Sequence, residues 1–174
     1  MKILLFGGTG LFGTEFEAIC NTRQVNLIAP THKDVDIANH TRTASIIEEV
    51  RPTIVINAVA IVGIDKCEER PGQAYAVNAA AAYAIARQCA DQNITMVQTS
   101  THAVFDGTKN FPYTEEDQPR PISIYSLSKY AGECFVRDIC PKHYVLRFPT
   151  MYGSRRNFAP GFVDKMLEKL QAGC

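Results

Sequence analysis

Tyr125 and Lys129 stand four residues apart in Tyr125-Ser126-Leu127-Ser128-Lys129, a spacing that puts a phenol and an ammonium on one helix face. A phenol with its ordinary pKa near 10 is a poor acid–base group at neutral pH. A fixed cation beside it would lower that value and let the hydroxyl hold and protonate a carbonyl oxygen. The spacing is common, so its setting carries the argument. The helix follows a strand that ends Thr99-Ser100-Thr101, and ligands of open α/β sheets sit at the carboxyl ends of strands. Tyr125 and Lys129, with the hydroxyls of that strand end, are therefore the catalytic candidates.

A second constellation lies at the start of the chain. Gly7-Gly8-Thr9-Gly10-Leu11-Phe12-Gly13 follows an apolar strand and opens a helix, with Gly7, Gly10 and Gly13 three apart and Gly8-x-Gly10-x-x-Gly13 overlaid. Glycines there permit a tight turn, close backbone approach to a pyrophosphate and tight helix–strand packing. The helix N-terminus offers unpaired N–H groups and a positive dipole end to phosphate. An NAD site would end its second strand on an acid. Here Thr31, His32 and Lys33 precede the first acid, Asp34, which favours the 2′-phosphate of NADP, with NAD as the alternative.

The elements that must position these groups are legible as apolar runs. Lys2–Phe6, Val25–Ala29, Thr53–Asn57, Ile94–Ser100 and His143–Arg147 read as buried parallel strands. Leu11–Cys20, Thr41–Val50, Gln73–Asp91 and Ser123–Cys140 read as the helices between them, and Phe158–Leu170 as one more. The alternation predicts an α/β fold, a Rossmann-like doubly wound parallel sheet of order 3-2-1-4-5, incomplete at its C-terminal side. Residues 1–174 are expected to form one NAD(P)-binding domain with a substrate-binding lobe largely absent.

Composition excludes other classes. Of 174 residues 46% are apolar and 21% charged, and eighteen basic residues balance eighteen acidic ones. Neither a disordered chain nor a broad nucleic-acid footprint fits these values. No window reaches the length of a membrane span, and no signal peptide is evident, so a cytoplasmic protein with no membrane partner is expected. Six cysteines form no CxxC pair and read as reduced, mostly buried thiols, with Cys174 the exposed exception. His32, His40, His102 and His143 are scattered, so no metal is expected.

Gly7-x-x-Gly10-x-x-Gly13, Asn57-Ala58-Val59-Ala60, Val77-Asn78 and Tyr125-x-x-x-Lys129 together resemble the extended short-chain dehydrogenase/reductase family. Within it, the chain is most similar to dTDP-4-dehydrorhamnose reductases from Met1 to about Leu170. Asp36-Ile37, Ile64-Asp65-Lys66-Cys67-Glu68, Ser100-Thr101, Val104-Phe105-Asp106-Gly107, Gly132-Glu133, Leu146-Arg147 and Tyr152-Gly153 carry that likeness. The resemblance implies NAD(P)H-dependent reduction of the 4-keto group of a nucleotide-linked 6-deoxyhexose for polysaccharide biosynthesis. It makes Tyr125 the proton donor, Lys129 the residue that holds the nicotinamide ribose and lowers the tyrosine's pKa, and Thr101 a hydrogen-bond partner of the keto oxygen. Gly10, Leu11 and Phe12 would cover the pyrophosphate, Asp36 and Ile37 flank the adenine, and Ala58, Ala60 and Ile61 line the cleft. Asn78 would either support the site or brace a loop.

Departures bear on the substrate. His102-Ala103 stands where these reductases carry Asp-Tyr after the threonine, and Thr150 replaces an aromatic residue. His102 is thus a sugar-facing candidate beside Thr101 and Tyr125, with a loop hydrogen bond as its alternative. No Asp-Glu pair follows Thr101, which disfavours the dehydratase branch. Family chains continue for roughly another hundred residues, so this one is expected to be shortened. Two alternatives remain at this level: a sugar-nucleotide epimerase, and a non-catalytic dinucleotide-binding subunit similar to the methionine adenosyltransferase β subunit. A homodimer is compatible with either.

Overall fold

The computed structural model describes residues 1–153 and 161–173. The five apolar runs form strands β1 (Lys2–Phe6), β2 (Asn26–Ile28), β3 (Ile54–Asn57), β4 (Thr95–Thr101) and β5 (His143–Phe148) of one sheet, with every neighbouring pair parallel. Helices α1 (Leu11–Thr22), α2 (His40–Val50), α3 (Ile64–Glu69), α4 (Pro71–Tyr75), α5 (Ala81–Asp91), α6 (Ile124–Ile139) and α7 (Phe162–Gln171) complete the fold. The sheet order is β2-β1-β3-β4-β5, not the expected 3-2-1-4-5. Burial explains the difference. Val55, Ile56 and Asn57 of β3 are wholly or nearly buried, whereas Asn26 of β2 is exposed and Leu27 and Ile28 are half-buried. β3 therefore takes the interior place beside β1 and leaves β2 at the edge.

Alternation along β1 feeds two cores. Leu4 and Phe6 join Val55 and Met96 against Ile46 and Ile47 of α2, Ile85 of α5 and Val136 of α6. Ile3 and Leu5 join Ile56 on the other face, under Phe12 and Phe16 of α1. Each such side chain contributes roughly 1.5–3 kcal/mol by leaving water.

Gln73–Asp91 is not one regular helix. It starts at Pro71, where a missing N–H is harmless, and passes through a π-helical segment, Ala76–Ala80, between α4 and α5. The short α3 was not anticipated because Cys67 alone among its residues is buried, so it shows no periodicity. α6 opens on a reciprocal cap: Ser126 N–H donates to the Ser123 hydroxyl at 3.2 Å, and Ser123 N–H donates to that of Ser126 at 3.1 Å. α7 begins four residues later than expected, and residues 158–160 and Cys174 lie outside the described residues. Cys20, Cys67, Cys89 and Cys140 are free and buried. Among the described residues no helix is long and apolar enough to cross a membrane.

Candidate active site

The chain leaves β1 through α1 to β2 on one side, and leaves β2 through α2 to β3 on the other. The crevice between the ends of β1 and β3 is the topological switch point where doubly wound sheets bind ligands. Gly7 sits there at φ +92°, and a Cβ on it would lie 2.8 Å from the Ala58 carbonyl carbon. A Cβ on Gly13 would overlap the Gly7 carbonyl oxygen and lie 2.5 Å from Gly8 Cα. The glycine spacing thus packs α1 directly on the β1 turn. Gly10 caps α1 without any side-chain acceptor, which leaves first-turn N–H groups for an anion.

The resulting cleft, about 570 Å³, is lined by Gly7, Gly10, His32, Asp36, Ile37, Ala58, Ala60 and Ile61 with Phe6, Thr9, Pro30, Val35, Val59 and Val77. A long, flat ligand with a diphosphate fits these walls: a glycine turn too tight for a Cβ at one end and apolar surfaces at the other. Leu11, Phe12 and Gly13 do not line it. The Phe12 ring packs 5.5 Å from Phe16 and 5.6 Å from Phe148, so only its backbone can serve the cleft. Ile37 is also a core residue. Thr31 is engaged elsewhere: its N–H and hydroxyl both donate to the Asp34 carboxylate at 2.8 Å, which holds that carboxyl below its usual range. Of the two residues after Thr31, both exposed, His32 reaches the cleft and Lys33 does not line it.

Three successive residues at the end of β4 meet three residues of α6 spaced four apart. Thr101 is 6% exposed and lies beside the Tyr125 phenol, while its hydroxyl accepts from Ala103 N–H at 3.1 Å. The Thr99 carbonyl accepts from Lys129 Nζ at 2.7 Å. The Ser100 hydroxyl donates to the Glu133 carboxylate. Lys129 is 3% exposed, and burial brings its ammonium from 10.5 down to about 8, against an upward pull from Glu133. The expectation that Lys129 lowers the tyrosine's pKa is corrected here. Burial of the phenol raises it, Thr101 pulls it down and Cys67 adds a further upward push, while Lys129 is turned to the Thr99 carbonyl.

Asn78 is buried in the π-helical segment and braces a loop, the blander of its two readings. Its side chain accepts from Ile61 N–H at 2.9 Å, and donates to the Ile61 carbonyl at 3.1 Å and the Ser128 hydroxyl at 3.0 Å. Ser128 in turn donates to the Tyr125 carbonyl at 2.8 Å. This chain of bonds ties the cleft wall at Ile61 to the helix that carries Tyr125. Ser128 drew no attention in the sequence because a mid-helix serine carries no spacing signal.

His102 is exposed, and its Nδ1 lies 3.3 Å from the Phe148 carbonyl, a loop contact. It lines a second cavity of about 660 Å³, on the β5 side, with Phe105, Tyr113 and Arg147; neither Tyr125 nor Lys129 reaches that cavity. Among the described residues no group of three or more His, Cys, Asp or Glu could hold a metal ion.

The RmlD substrate binding domain family matches residues 1–173. The dTDP-4-dehydrorhamnose reductase of Salmonella typhimurium is 37% identical over 164 residues, covering 91% of this chain and 54% of that protein. The crystal structure of a dTDP-4-dehydrorhamnose reductase from Clostridium acetobutylicum is 34% identical with a TM-score of 0.93, across 99% of this chain and 60% of the other. That of Bacillus anthracis, in complex with NADP, is 30% identical with a TM-score of 0.91, across 99% of this chain and 61% of the other. The chain spans about half the length of the curated relatives it matches. With a match along nearly its whole length and relatives this similar, the chain belongs to the RmlD substrate binding domain family, alongside the dTDP-4-dehydrorhamnose reductases.

Proposed function

We propose that the protein serves the NADPH-dependent reduction of the 4-keto group of a nucleotide-linked 6-deoxyhexose in the cytoplasm, residues 1–174 supplying the dinucleotide-binding part. The observation that carries this reading is the meeting of Thr101, Tyr125 and Lys129 at the end of β4, beside a glycine-turned cleft. The names of its relatives, and the NADP in the Bacillus anthracis structure, support the substrate class and cofactor.

Gly7, Gly10 and the first turn of α1 hold a pyrophosphate through backbone N–H groups, Asp36 and Ile37 flank the adenine, and Ala58, Ala60 and Ile61 form the wall beyond. His32, on the cleft wall, would meet a 2′-phosphate, with the exposed Lys33 next to it in the chain. The nicotinamide, when bound, supplies hydride to the carbonyl carbon. Thr101 and Tyr125 hold the keto oxygen between two hydroxyls, and the Tyr125 phenol gives up its proton as negative charge develops there. Its raised pKa keeps that proton in place at neutral pH. Lys129, fixed by the Thr99 carbonyl, presents its remaining N–H groups to the ribose. His102 faces the sugar only if its Phe148 contact opens.

Fluorescence titration of the 174-residue chain with NADPH and NADH tests the cofactor reading; saturable binding, tighter for NADPH, is expected. Binding of neither by a folded chain overturns it. With a dTDP-4-keto-6-deoxyhexose, one NADPH consumed per sugar reduced is expected, whereas interconversion of sugars without net consumption would mark an epimerase instead.

A further inference from the structure

Glu133 has no place in the chemistry described so far, yet it is fully buried. Its carboxylate accepts from the Ser100 hydroxyl and from Arg147, whose Nη2 lies 2.6 Å and Nε 3.1–3.2 Å away. Arg147 is largely buried and stacks 5.0 Å over the Phe105 ring. One carboxylate therefore joins α6 to β4 and β5 at once. It does so one helical turn beyond Lys129 and one residue before Thr101. A buried ion pair is weak evidence for stability, since its desolvation offsets much of its attraction. Glu133 also lies one turn from Lys129 on the same helix, and its negative charge pulls the pKa of that buried ammonium upward. The other ionisable groups on or packed against α6 include Tyr125, Tyr130, Cys134 and Arg137 of the same helix, Cys67 and Glu68 of α3, Tyr83 of α5 and Arg147 of β5, while the end of β4 presents hydroxyls and carbonyls.

We propose that Glu133 is a positioning residue of this site: pinned by Ser100 and Arg147, it sets α6 on the end of β4 and supplies the negative charge that faces Lys129. The proposal rests on the reading of Tyr125 and Lys129 as the reactive pair. Without that carboxylate, an ammonium this deeply buried would give up its proton at a lower pH, and Lys129 would lose the charge that holds a ribose hydroxyl.

The test is a pH titration of the full chain labelled with [ε-13C]lysine, followed by NMR, for the native protein and Glu133→Gln, with NADPH affinity measured in parallel. The Lys129 midpoint is expected to fall by about one pH unit in E133Q, with NADPH affinity at pH 7.5 down about threefold, the fall in the charged fraction of Lys129. Glu133→Asp, which keeps the charge, is expected to restore both. An unchanged midpoint in folded E133Q overturns the proposal and leaves Glu133 a strut. If E133Q does not fold because Arg147 is left unpaired, the neutral pair E133Q/R147Q replaces it, with a smaller fall expected in the same direction and no fall overturning the idea. Failure of the native chain to bind NADPH would refute the proposed function alone, because the Lys129 midpoint is read without cofactor.

Discussion

Replacing Lys129 by methionine should make the protein more stable while removing its cofactor affinity. The ammonium is 3% exposed, and its pKa falls from 10.5 to about 8 on folding. A fall of about 2.5 pH units means that holding the charged form in the folded state costs about 3 kcal/mol at pH 7, at about 1.4 kcal/mol per unit. Methionine fills similar space without a charge. The groups left behind stay satisfied: the Thr99 carbonyl still accepts from Gln98 Nε2 at 3.0 Å, and Glu133 keeps Ser100 and Arg147. The expected gain is therefore about 2–3 kcal/mol at pH 7. Its pH dependence has a definite sign. Between pH 8 and 10.5 the unfolded chain holds the Lys129 proton and the folded one does not, so native stability rises with pH across that window. The advantage of Lys129→Met should shrink over the same range and vanish above it. Urea unfolding followed by circular dichroism at pH 7, 9 and 10.5 reads this directly. A variant less stable than the native protein at pH 7, or a difference that does not change with pH, would refute the reasoning.

Four further outcomes are expected. Tyr125→Phe should lower keto-sugar reduction by about 10²–10⁴-fold while NADPH affinity, read by fluorescence, stays within about twofold. Because burial raises the Tyr125 pKa, the alkaline fall in reduction should lie near pH 8, at the Lys129 transition, with no separate loss below pH 10 in a steady-state profile. Gly13→Ala forces a Cβ onto the Gly7 carbonyl and should lower stability by about 1–3 kcal/mol and weaken NADPH binding, whereas Gly72→Ala, with nothing within 4 Å, should change stability by less than about 1 kcal/mol in urea unfolding. Asn78→Ala leaves Ile61 N–H without its acceptor and removes the donor to the Ile61 carbonyl and to the Ser128 hydroxyl, which keeps its bond to Tyr125, and should cost about 2–3 kcal/mol, read as a drop in Tm.

What was legible in the sequence followed physical periodicity. β1, β3 and β4 were readable because both faces are largely buried, the partly exposed β2 and β5 only as short apolar runs, and α1, α2 and α6 because one stripe is buried. The strand order was not, since order depends on which strand is buried most deeply, and β2 and β3 look alike as short apolar runs. The π-helical turn at Ala76–Ala80 was equally hidden, because its residues are ordinary helix formers and its origin lies in packing: a Cβ at Gly132 would overlap the Asn78 carbonyl, so helix α6 approaches closest there. The glycine turn and the Tyr–Lys pair were legible because their spacing is itself the geometry. The sense of the Tyr125 pKa was not, since it turns on where the Lys129 ammonium points and on how deeply the phenol sits.

With β3 rather than β2 inside the sheet, the site still lies where the motifs put it. Either order makes the chain reverse direction beside β1, so the crevice at the Gly7 turn exists in both; the observed order decides only that Ala58–Ile61, at the end of β3, form its far wall. Burial of polar groups gives an independent sign of the same place. Among the described residues the buried polar ones are Thr43, Asn57, Asn78, Gln98, Thr99, Ser100, Thr101, Ser126, Ser128, Lys129 and Glu133. All but Thr43 fall at the ends of β3 and β4, in the π-helical segment or on α6. A core selected for stability alone would fill these positions with apolar side chains. Here every buried side-chain polar atom among the described residues has a partner, and a lysine is held where water cannot reach it. Such a concentration of costly groups, fully satisfied and confined to one end of the sheet, is expected where local stability has been traded for chemistry.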